Sequence, residues 1–515
     1  MNLLTLVLGI PLAGFLILLV LPKENYELIR RIALLVSVTA FFLSLGLVSP
    51  VWQAAPGDYA LEVDAPWITT LRIHYHAGID GISLWLVLLS TFLTPVCVLI
   101  SWRSIASKVK GFFAFLLLLE FGLIGVFVSL DLFLFYVFWE VSLVPMYFLI
   151  GVWGHERRIY AAVKFFLYTM VGSLLMLVGI IWLYNRTGTF DLPAILGMIS
   201  DGRLNLTHAE QIPLFLAFFL AFAIKVPIFP LHTWLPDAHV EAPSAGSVML
   251  ASVMLKMGTY GLVRFCLPLF PLASRACAPW IITLAIIGII YGALVAMVQP
   301  NMKKLVAYSS VSHLGFVVLG VFSFTQIGMD GAVYQMLNHG VSTGALFVLV
   351  GYMYDRRHSL EIADYGGVAT VAPWLSTAFM ITMLASIGLP TLNNFIGEYL
   401  VLQGAAQENF TWAVFAAIGV ILSACYMLWL YQRVFFGDTP EAVASHMSDL
   451  RIREMAAMVP LIVLMVWMGM ASQTFLPSIG ASTAAVIERT EAVKEIRVES
   501  GASLLAKVKE IWHAR

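Results

Sequence analysis

Residues 225–256, KVPIFPLHTWLPDAHVEAPSAGSVMLASVMLK, decide how this chain folds. Both ends of the stretch lie in apolar sequence, because LFLAFFLAFAI includes Ile224 and AGSVMLASVML runs up to Lys256. A lysine inside a hydrocarbon-like segment costs about 2.5–3.5 kcal/mol on membrane-insertion scales. Lys225 and Lys256 therefore indicate a polar path inside a membrane protein. The alternative is that both side chains reach the membrane surface from the ends of their helices.

Three prolines follow Lys225 and predict a break in its helix: Pro227, Pro230 and Pro236. A proline in a helix interior removes a backbone hydrogen bond and clashes with the preceding turn. Backbone groups freed by such a break inside a membrane must face protein or water. His232 follows Lys225 by seven residues, so the two side chains would share a face if the helix continued. The stretch is typical of an ion path.

The composition is that of a polytopic membrane protein. Of the 515 residues, 60% are hydrophobic and 11% are charged, and the mean hydropathy is +0.90, whereas a soluble domain carries about 25% charged residues. The net charge of −1 argues against nucleic acid as a partner. The scattered cysteines and the lack of a nucleotide-binding motif predict no metal, redox cofactor or nucleotide in this chain. Cys266 and Cys277 are predicted to lie in one loop and are best interpreted as two unrelated thiols, although pairing is the alternative.

Apolar windows of about 20 residues recur along the chain and predict fourteen transmembrane helices. The first window lacks a basic region and a small-residue cleavage site, so we expect it to remain as the first span. The fold class is therefore an all-α polytopic membrane protein. The predicted spans cover residues 2–22, 28–48, 80–101, 111–130, 132–152, 160–184, 212–234, 245–267, 280–299, 304–324, 331–354, 373–400, 411–434 and 455–475.

Lysine and arginine are distributed unequally between the two sets of loops. The positive-inside rule then places the N-terminus outside, and the even number of spans places the C-terminus outside as well. We expect a bacterial inner membrane, with both termini on its periplasmic side. The inner loops hold Lys23, Arg30, Arg31, Arg103, Lys108, Lys110, Arg157, Arg158, Lys164, Lys303, Lys304, Arg356, Arg357, Arg433, Arg451 and Arg453, and the outer loops hold Arg72, Arg186, Arg203, Arg264 and Arg275.

The outer side also carries the longest connections. The loops at about 49–79 and about 185–211 show no pattern of a soluble fold. The tail from about 478 to 515 ends in SLLAKVKEIWHAR, which alternates apolar and charged residues at helical spacing. This pattern predicts a surface helix that contacts a neighbouring protein, with a frayed terminus as the alternative.

Glu140 lies near the middle of LFLFYVFWEVSLVPMYFLI, the fifth predicted span, with no other charge nearby in sequence. A buried carboxylate must be neutral, paired or hydrated. An ion pair with a lysine of another helix would stabilise both charges, and loss of the pair would favour release of the lysine proton. The alternative is an inert structural pair. Glu120 is a further candidate for the proton path, and Asp131 is expected in a loop.

Three histidines in or beside predicted spans are candidate proton carriers: His232, His313 and His339. Histidine titrates near pH 6.5 when unperturbed, so a hydrated imidazole accepts and passes a proton near neutral pH. Each of the three has serine, threonine or asparagine nearby, and a hydrogen-bonded structural role remains the alternative for each. His239 is expected in an inner loop, where it would cap or line an entrance.

The twelfth predicted span is broken in the same way as the seventh. Gly388 and Pro390 interrupt it, Asn393 and Asn394 follow, and Glu398 is one turn further on. The two broken spans are five spans apart, and a five-helix unit that is repeated must enter the membrane upside down the second time. The sequence therefore predicts two inverted five-helix repeats, helices 4–8 and 9–13.

This interpretation divides the chain and orders its buried charges. The predicted units are residues 1–110 (three helices), 111–267 (first repeat), 280–434 (second repeat) and 455–515 (last helix and outer tail). The charges would follow one axis along the membrane midplane, in the order Glu140, Lys225, Lys256, His313 or His339, and Glu398.

Four stretches resemble the antiporter-like subunits of respiratory complex I, the bacterial NADH:quinone oxidoreductase. They are FLFYVFWEVSLVPMYFLIGVWG, KVPIFPLHTWLPDAHVEAPSAGSVMLASVMLKMGTYGLVRF, LVAYSSVSHLGFV and NNFIGEYLVLQG. The resemblance implies fourteen helices, two inverted repeats and broken seventh and twelfth helices. It also implies a lipid-embedded place in the membrane arm between sister subunits, where this chain moves protons. NADH, FMN, iron–sulfur clusters and quinone are then expected in other subunits.

The resemblance also assigns roles to seven residues. They are the glutamate of the fifth helix (Glu140), the lysine of the broken seventh (Lys225), the connecting lysine of the eighth (Lys256), three central histidines (His232, His313 and His339) and the glutamate of the twelfth (Glu398). Glu398 would face the outer half-channel. The alternatives are an Mrp-type cation/proton antiporter subunit, a structural spacer with inert buried charges, and a membrane-bound hydrogenase subunit.

Overall fold

The computed structural model describes residues 2–491 and contains all fourteen predicted spans. Thirteen are helices long and apolar enough to cross a membrane, and the twelfth in chain order consists of two shorter helices. Spans 1 to 14 are Leu3–Val20, Tyr26–Gln53, Gly81–Ser104, Val109–Val128, Leu132–Trp153, Arg158–Thr187, His208–Lys225 with Trp234–Glu241, Ser244–Leu269, Pro271–Met297, Met302–Phe322, Gln326–Arg357, Pro373–Ser386 with Asn393–Glu408, Phe410–Phe435 and Ile452–Met470. Shorter helices lie at Leu192–Ser200, Val368–Val371, Glu441–His446 and residues 476–491.

One face of the bundle carries a β-hairpin that the sequence analysis did not predict. Strand β1 (Ala60–Ile68) pairs antiparallel with strand β2 (Ile73–Ile79). Burial mostly alternates along β1 with the two-residue period of a half-buried strand. Residues 49–79, which show no sequence pattern of a soluble fold, therefore still contain an ordered hairpin. We call this side of the molecule the hairpin face.

Both described ends of the chain lie on the hairpin face. The Asn2 amide donates to the Leu61 carbonyl of β1 at 2.6 Å. Near the other end, the Ser482 hydroxyl accepts from the Gly81 N–H at 2.9 Å. This agrees with the even number of spans. We call the opposite side, with the loops at 21–25, 105–108, 154–157, 358–372 and 436–451, the basic face.

Two basic residues that the loop count assigned to connections are buried instead. Arg264 lies in span 8, where its guanidinium pairs with Asp80 at 2.7 Å and both side chains are less than a tenth exposed. Lys303 begins span 10 at the basic face and donates to the Ala242 carbonyl at 2.8 Å, with 1% of its surface exposed. A count of lysine and arginine cannot separate such residues from solvated ones, because both lie near predicted helix ends.

Three smaller points concern the cysteines, Glu120 and the tail. Cys266 and Cys277 lie in spans 8 and 9 rather than in a shared loop, and both thiols are free. Glu120 lies within span 4 and is fully buried. The predicted tail helix, SLLAKVKEIWHAR, lies outside the described residues.

The helix of span 7 breaks at the lysine, as predicted. It ends at Lys225, residues 226–233 form turns, and the helix resumes at Trp234. The Trp234 indole N–H donates to the Ile224 carbonyl at 2.9 Å. This bond satisfies one of the backbone groups that the end of the first helix leaves free. The break therefore fixes Lys225 at a helix end inside the bundle.

The helix of span 12 breaks at the predicted glycine. Gly388 has a φ of 76°, a left-handed conformation that glycine adopts without strain. The helix resumes at Asn393, whose amide donates to the Asn338 carbonyl of span 11 at 2.9 Å. The second half of span 12 is thereby held against span 11.

Two pairs of backbone hydrogen bonds occupy matching positions in the two predicted five-helix units. An isolated bridge between Asp131 and Asp191 joins the segments before span 5 and after span 6 on the hairpin face. An equivalent bridge between Asn301 and Glu361 joins the segments before span 10 and after span 11 on the basic face. Each bridge consists of one backbone hydrogen bond of 2.9 Å and one of 2.8 Å. Five spans separate the two bridges, which lie on opposite faces; inverted copies would show this arrangement, and the repeat itself stays a prediction.

An ionised cluster fastens the hairpin to the loop after span 6. The buried His76 ring of β2 contacts Glu62 of β1 at 2.7 Å through Nε2, and Asp191 through Nδ1. Burial lowers the pKa of His76, but the hydrogen bonds to Asp191 and Glu62 outweigh burial and raise the pKa to about 9. A charged imidazolium therefore donates to both carboxylates at neutral pH.

We expect this attachment to weaken in alkali. The pKa of His76 rises from about 6.5 in the unfolded chain to about 9 in the folded chain, so its stabilisation is complete below the first value and is lost as pH rises through the second. A hydrogen bond to a charged group contributes about 1.5–3 kcal/mol. Hydrogen exchange of residues 73–79, corrected for its intrinsic pH dependence, should therefore become about tenfold faster or more above pH 9.

The neighbouring exposed pair supplies the control. Glu62→Gln should give faster exchange of residues 73–79 already at neutral pH. Asp64→Asn should not, because Asp64 pairs with His74 at 2.6 Å on the exposed surface, where ion pairs contribute little. Equal exchange of β2 at neutral and alkaline pH would contradict the prediction.

Candidate functional site: a buried polar chain

A series of ionisable side chains runs from span 8 to span 12. The Lys256 amine donates to the Ala251 carbonyl and contacts His339 Nδ1, both at 2.6 Å. The ring of His339 lies 6.0 Å from that of His313, centroid to centroid. His313 Nδ1 contacts Glu398 Oε1 at 2.8 Å. Spans 8, 11, 10 and 12 thus bring four of the predicted residues together, and their part in proton transfer stays a prediction.

Span 8 positions Lys256 by departing from α-helical geometry on both sides of it. Residues Leu250–Met254 and Leu262–Cys266 form π-helical turns around the α-helical segment Leu255–Gly261. Such turns are rare and occur mostly at functional sites. The Ala251 carbonyl that accepts from Lys256 lies in the first of them. The local geometry therefore supplies a backbone partner for a fully buried amine.

Glu398 closes the chain and accepts hydrogen bonds from two side chains. His313 donates through Nδ1, and the Gln335 amide donates to the same oxygen at 3.1 Å. A Cβ atom at Gly388 would lie 3.2 Å from the other carboxylate oxygen. The glycine at the break in span 12 therefore also leaves room for the carboxylate.

Spans 11 and 12 add polar residues that the sequence analysis did not assign to the site. Asn338 donates to the Gln335 side chain at 3.3 Å, and Asn394 donates to the Ser342 hydroxyl at 3.0 Å. All of these side chains are buried. The signal available in the sequence was the set of amide side chains in YQMLNHG and NNFIGE, two otherwise apolar segments.

Many buried polar atoms in and around this chain have no hydrogen-bond partner among the described residues. An unsatisfied buried group costs about 1–3 kcal/mol, and native proteins satisfy such groups with ordered water. We therefore expect ordered water beside these atoms. They are Lys225 Nζ, both ring nitrogens of His232 and His239, Nε2 of His313 and His339, and Oδ1 of Asn338, Asn393 and Asn394.

The predicted ion pair between Glu140 and Lys225 is open. The Lys225 amine lies 5.5 Å from the ring centroid of Trp139 and 5.2 Å from that of Phe165. It has no hydrogen-bond partner in the described part of the chain. Glu140, next to Trp139 and half-buried, is close enough to act on the amine electrostatically. Cation–π contacts therefore hold the cation beside, rather than against, the carboxylate.

Two predicted histidines lie outside the Lys256–Glu398 chain. His232 is buried among aromatic rings, 5.6 Å from Phe229 and 5.2 Å from Tyr291. His239 is fully buried in the second helix of span 7, not in a loop, and its ring stacks on Phe347 at 4.4 Å. The break in span 7 turns both rings into the bundle.

Glu120 is the remaining candidate. It is fully buried beside Thr94 of span 3. Neither of its carboxylate oxygens has a hydrogen-bond partner among the described residues. No group of His, Cys, Asp or Glu side chains within residues 2–491 could hold a metal ion.

Comparison with known proteins shows the family. A family model described as NADH:quinone oxidoreductase/Mrp antiporter, transmembrane, matches residues 129–424. Subunit M of the NADH-quinone oxidoreductase of Rhodobacter capsulatus is 44% identical over 502 residues, which cover 95% of this chain and 97% of that protein. A chain of respiratory complex I from Thermus thermophilus, solved with bound NADH, has a TM-score of 0.85 at 32% identity and covers 95% of this chain and 99% of its own.

A more distant structure shares the fold. A chain of the Mrp complex from Dietzia sp. DQ12-45-1b has a TM-score of 0.80 at 20% identity, covering 95% of this chain and 99% of its own. The predicted fold class and the predicted resemblance are both confirmed. The chain belongs to the NADH:quinone oxidoreductase/Mrp antiporter family of transmembrane subunits.

Proposed function

We propose that this chain is the proton-translocating, antiporter-like subunit M of the membrane arm of an NADH:quinone oxidoreductase. Similarity to subunit M of such an enzyme, at 44% identity over nearly the whole chain, supports the assignment. The observation that carries the mechanism is the contact series Lys256–His339–His313–Glu398 in the middle of the bundle. Each member binds and releases a proton, and imidazole does so near neutral pH.

The contacts support one order of proton transfer. The Lys256 ammonium donates to His339 Nδ1. His339 Nε2 and His313 Nε2 both lack protein partners among the described residues, so water between them passes the proton from one ring to the other. His313 Nδ1 then donates to Glu398 Oε1. Each step breaks an N–H bond on one group and forms an N–H or O–H bond on the next.

Glu140 and Lys225 form the switch that biases this chain. When the carboxylate approaches the amine, the pair stabilises both charges. When the two separate, the buried ammonium loses its partner, and the protonation equilibrium shifts toward the neutral amine. The open arrangement over Trp139 and Phe165 leaves the amine free to move toward either side. The movement of one charge against 100 mV costs about 2.3 kcal/mol, and quinone reduction elsewhere in the complex supplies it.

The remaining assignments follow from the same proposal. The hairpin face is periplasmic and the basic face cytoplasmic, in keeping with the positive-inside rule, in a bacterial inner membrane. Sister antiporter-like subunits and lipid surround the bundle. NADH, FMN, the iron–sulfur clusters and quinone belong to other subunits.

NADH-driven proton uptake by membrane vesicles carrying Lys225→Ala tests the proposal, with quinone reduction assayed on the same sample. We expect both rates to fall several-fold while the complex remains assembled on native gels, because the switch loses its cation. Lys23→Ala removes an exposed loop lysine and should leave both rates unchanged. Wild-type rates in an assembled Lys225→Ala complex would contradict the proposal.

The second candidate is an Mrp-type cation/proton antiporter subunit, favoured by the shared fold. Such a protein exchanges a cation for protons with no electron donor. Sodium-dependent collapse of a preformed pH gradient in vesicles without NADH would support it, provided that Lys225→Ala leaves NADH oxidation untouched.

A further inference from the structure

A second cluster of ionisable groups lies where spans 7, 10 and 11 reach the basic face. Lys303 is almost fully buried and donates to the Ala242 carbonyl at 2.8 Å. Glu241 precedes that carbonyl, at the end of the second helix of span 7. Asp355, at the end of span 11, and Glu241 both act on the charge of Lys303. A buried amine therefore lies within electrostatic range of two carboxylates at the basic face.

This cluster has access to solvent at one end. Asp355 is exposed and lines a pocket of about 360 Å³ on the basic face, together with Tyr354 and His358. Tyr354 contacts His155 of the loop after span 5 at 3.3 Å, and the charge of Lys303 reaches His155 as well. The ionisable groups that face Lys303 are thus Glu241, Asp355, His155 and His239.

His239 lies between this cluster and the central chain. The charges of both Lys303 and Lys256 act on it, and His239 in turn acts on His339. Its ring is held by stacking on Phe347, yet neither ring nitrogen has a partner within residues 2–491. An imidazole in this position, buried and with neither ring nitrogen bonded to a described residue, is suited to accept a proton on one side and release one on the other.

We propose that Lys303 carries protons from the basic face into the central chain, through His239 to Lys256. The Lys303 ammonium gives a proton to water beside His239, and one ring nitrogen of His239 gains a proton as the other releases one toward Lys256. The Lys303 amine then regains a proton from the solvent-facing side, at Asp355. This inference rests on the proposed function and extends its path to the cytoplasmic face.

A purely structural role for Lys303 would be to cap the carbonyl at the end of the second helix of span 7. Arginine separates the two roles, because it keeps the charge and the donors but does not release its proton. Histidine does the reverse: it carries protons near neutral pH but is a poorer cap. A structural lysine is replaced better by arginine, and a proton-carrying lysine is replaced better by histidine.

The test is NADH-driven proton uptake by vesicles that contain the whole assembled complex. Lys303→Arg should lower uptake about tenfold or more, since proton transfer by a positioned side chain contributes about a hundredfold or more and water partly bypasses the loss. Lys303→His should retain more uptake than Lys303→Arg at neutral pH and lose it as pH rises above the imidazole range. Lys304→Arg, at the adjacent and partly exposed lysine, is the matched control and should leave proton uptake unchanged.

Normal uptake with Lys303→Arg would overturn the inference, as would better rescue by arginine than by histidine. If Lys225→Ala still lowers uptake several-fold in that case, the proposed function stands and only this entrance is wrong. If Lys303→Arg fails to assemble, His239→Gln carries the same test. Loss of uptake in an assembled His239→Gln complex would support the entrance, and wild-type uptake would overturn it.

Discussion

Replacement of Lys256 by methionine is expected to lower NADH-driven proton transport about a hundredfold, at the lower bound of what positioned proton-transfer groups contribute. The amine is fully buried and is the direct donor to His339 in the chain. Methionine has a similar length and no branch, so it fills the space without a charge. The central chain then ends at His339, whose Nδ1 faces an apolar group. Fluorescence quenching of a pH-sensitive dye in vesicles measures the loss, and native gels verify assembly.

Two further variants separate the proton from the charge. Lys256→Arg keeps a cation next to the Ala251 carbonyl but does not release a proton at accessible pH, so it should fail as completely as methionine. Lys23→Met, at an exposed lysine of the same type, should pump normally. Normal pumping by an assembled Lys256→Met complex would show that protons do not pass through the span 8 lysine.

The broken helices were predictable because their causes are local. Prolines after Lys225 and Gly388 with Pro390 interrupt helices whatever surrounds them. The fourteen spans were predictable for the same reason, since each is an apolar window long enough to cross a membrane. A charged residue lies close to each predicted break. In the structure, Lys225 ends the first helix of span 7, and Glu398 lies in the first half of the second helix of span 12.

The contacts within the site were not predictable from spacing. Lys256 and His339 are 83 residues apart in sequence, and His313 and Glu398 are 85 apart. No helical period relates residues at such distances, and only the packing of four spans brings them together. The π-helical turns around Lys256 were also not predictable, because AGSVMLASVML has the pattern of an ordinary apolar helix.

Lys303 shows a different limit of sequence reasoning. A lysine at the start of a span adds to the count of basic residues on one side, whether it faces lipid headgroups, water or protein. In the fold, the second helix of span 7 ends against it, and its amine turns to the Ala242 carbonyl. Burial at a helix end depends on which neighbouring element covers that end. The sequence of span 10 alone does not specify this neighbour.

Replacement of Glu398 by glutamine is expected to lower proton transport about tenfold or more, for a reason that differs from that for Lys256. Glutamine keeps the shape of the side chain and one acceptor oxygen for His313 and Gln335, so the local structure should survive. It has no group that binds a proton at accessible pH. The proton that His313 releases then lacks its acceptor, and the loss should fall on transport while the packing of span 12 stays intact.

Glu408 provides the matched control, because it ends the same helix and is exposed. Glu408→Gln should transport protons at the wild-type rate, whereas Glu398→Asp should keep a measurable part of it because a carboxylate remains near His313. Comparison with Lys256→Met locates the exit. If Glu398→Gln transports normally while Lys256→Met does not, the proton leaves the chain at one of the two histidines. If both fail, the proton passes through Glu398, whose carboxylate lies beside the break in span 12 at Gly388.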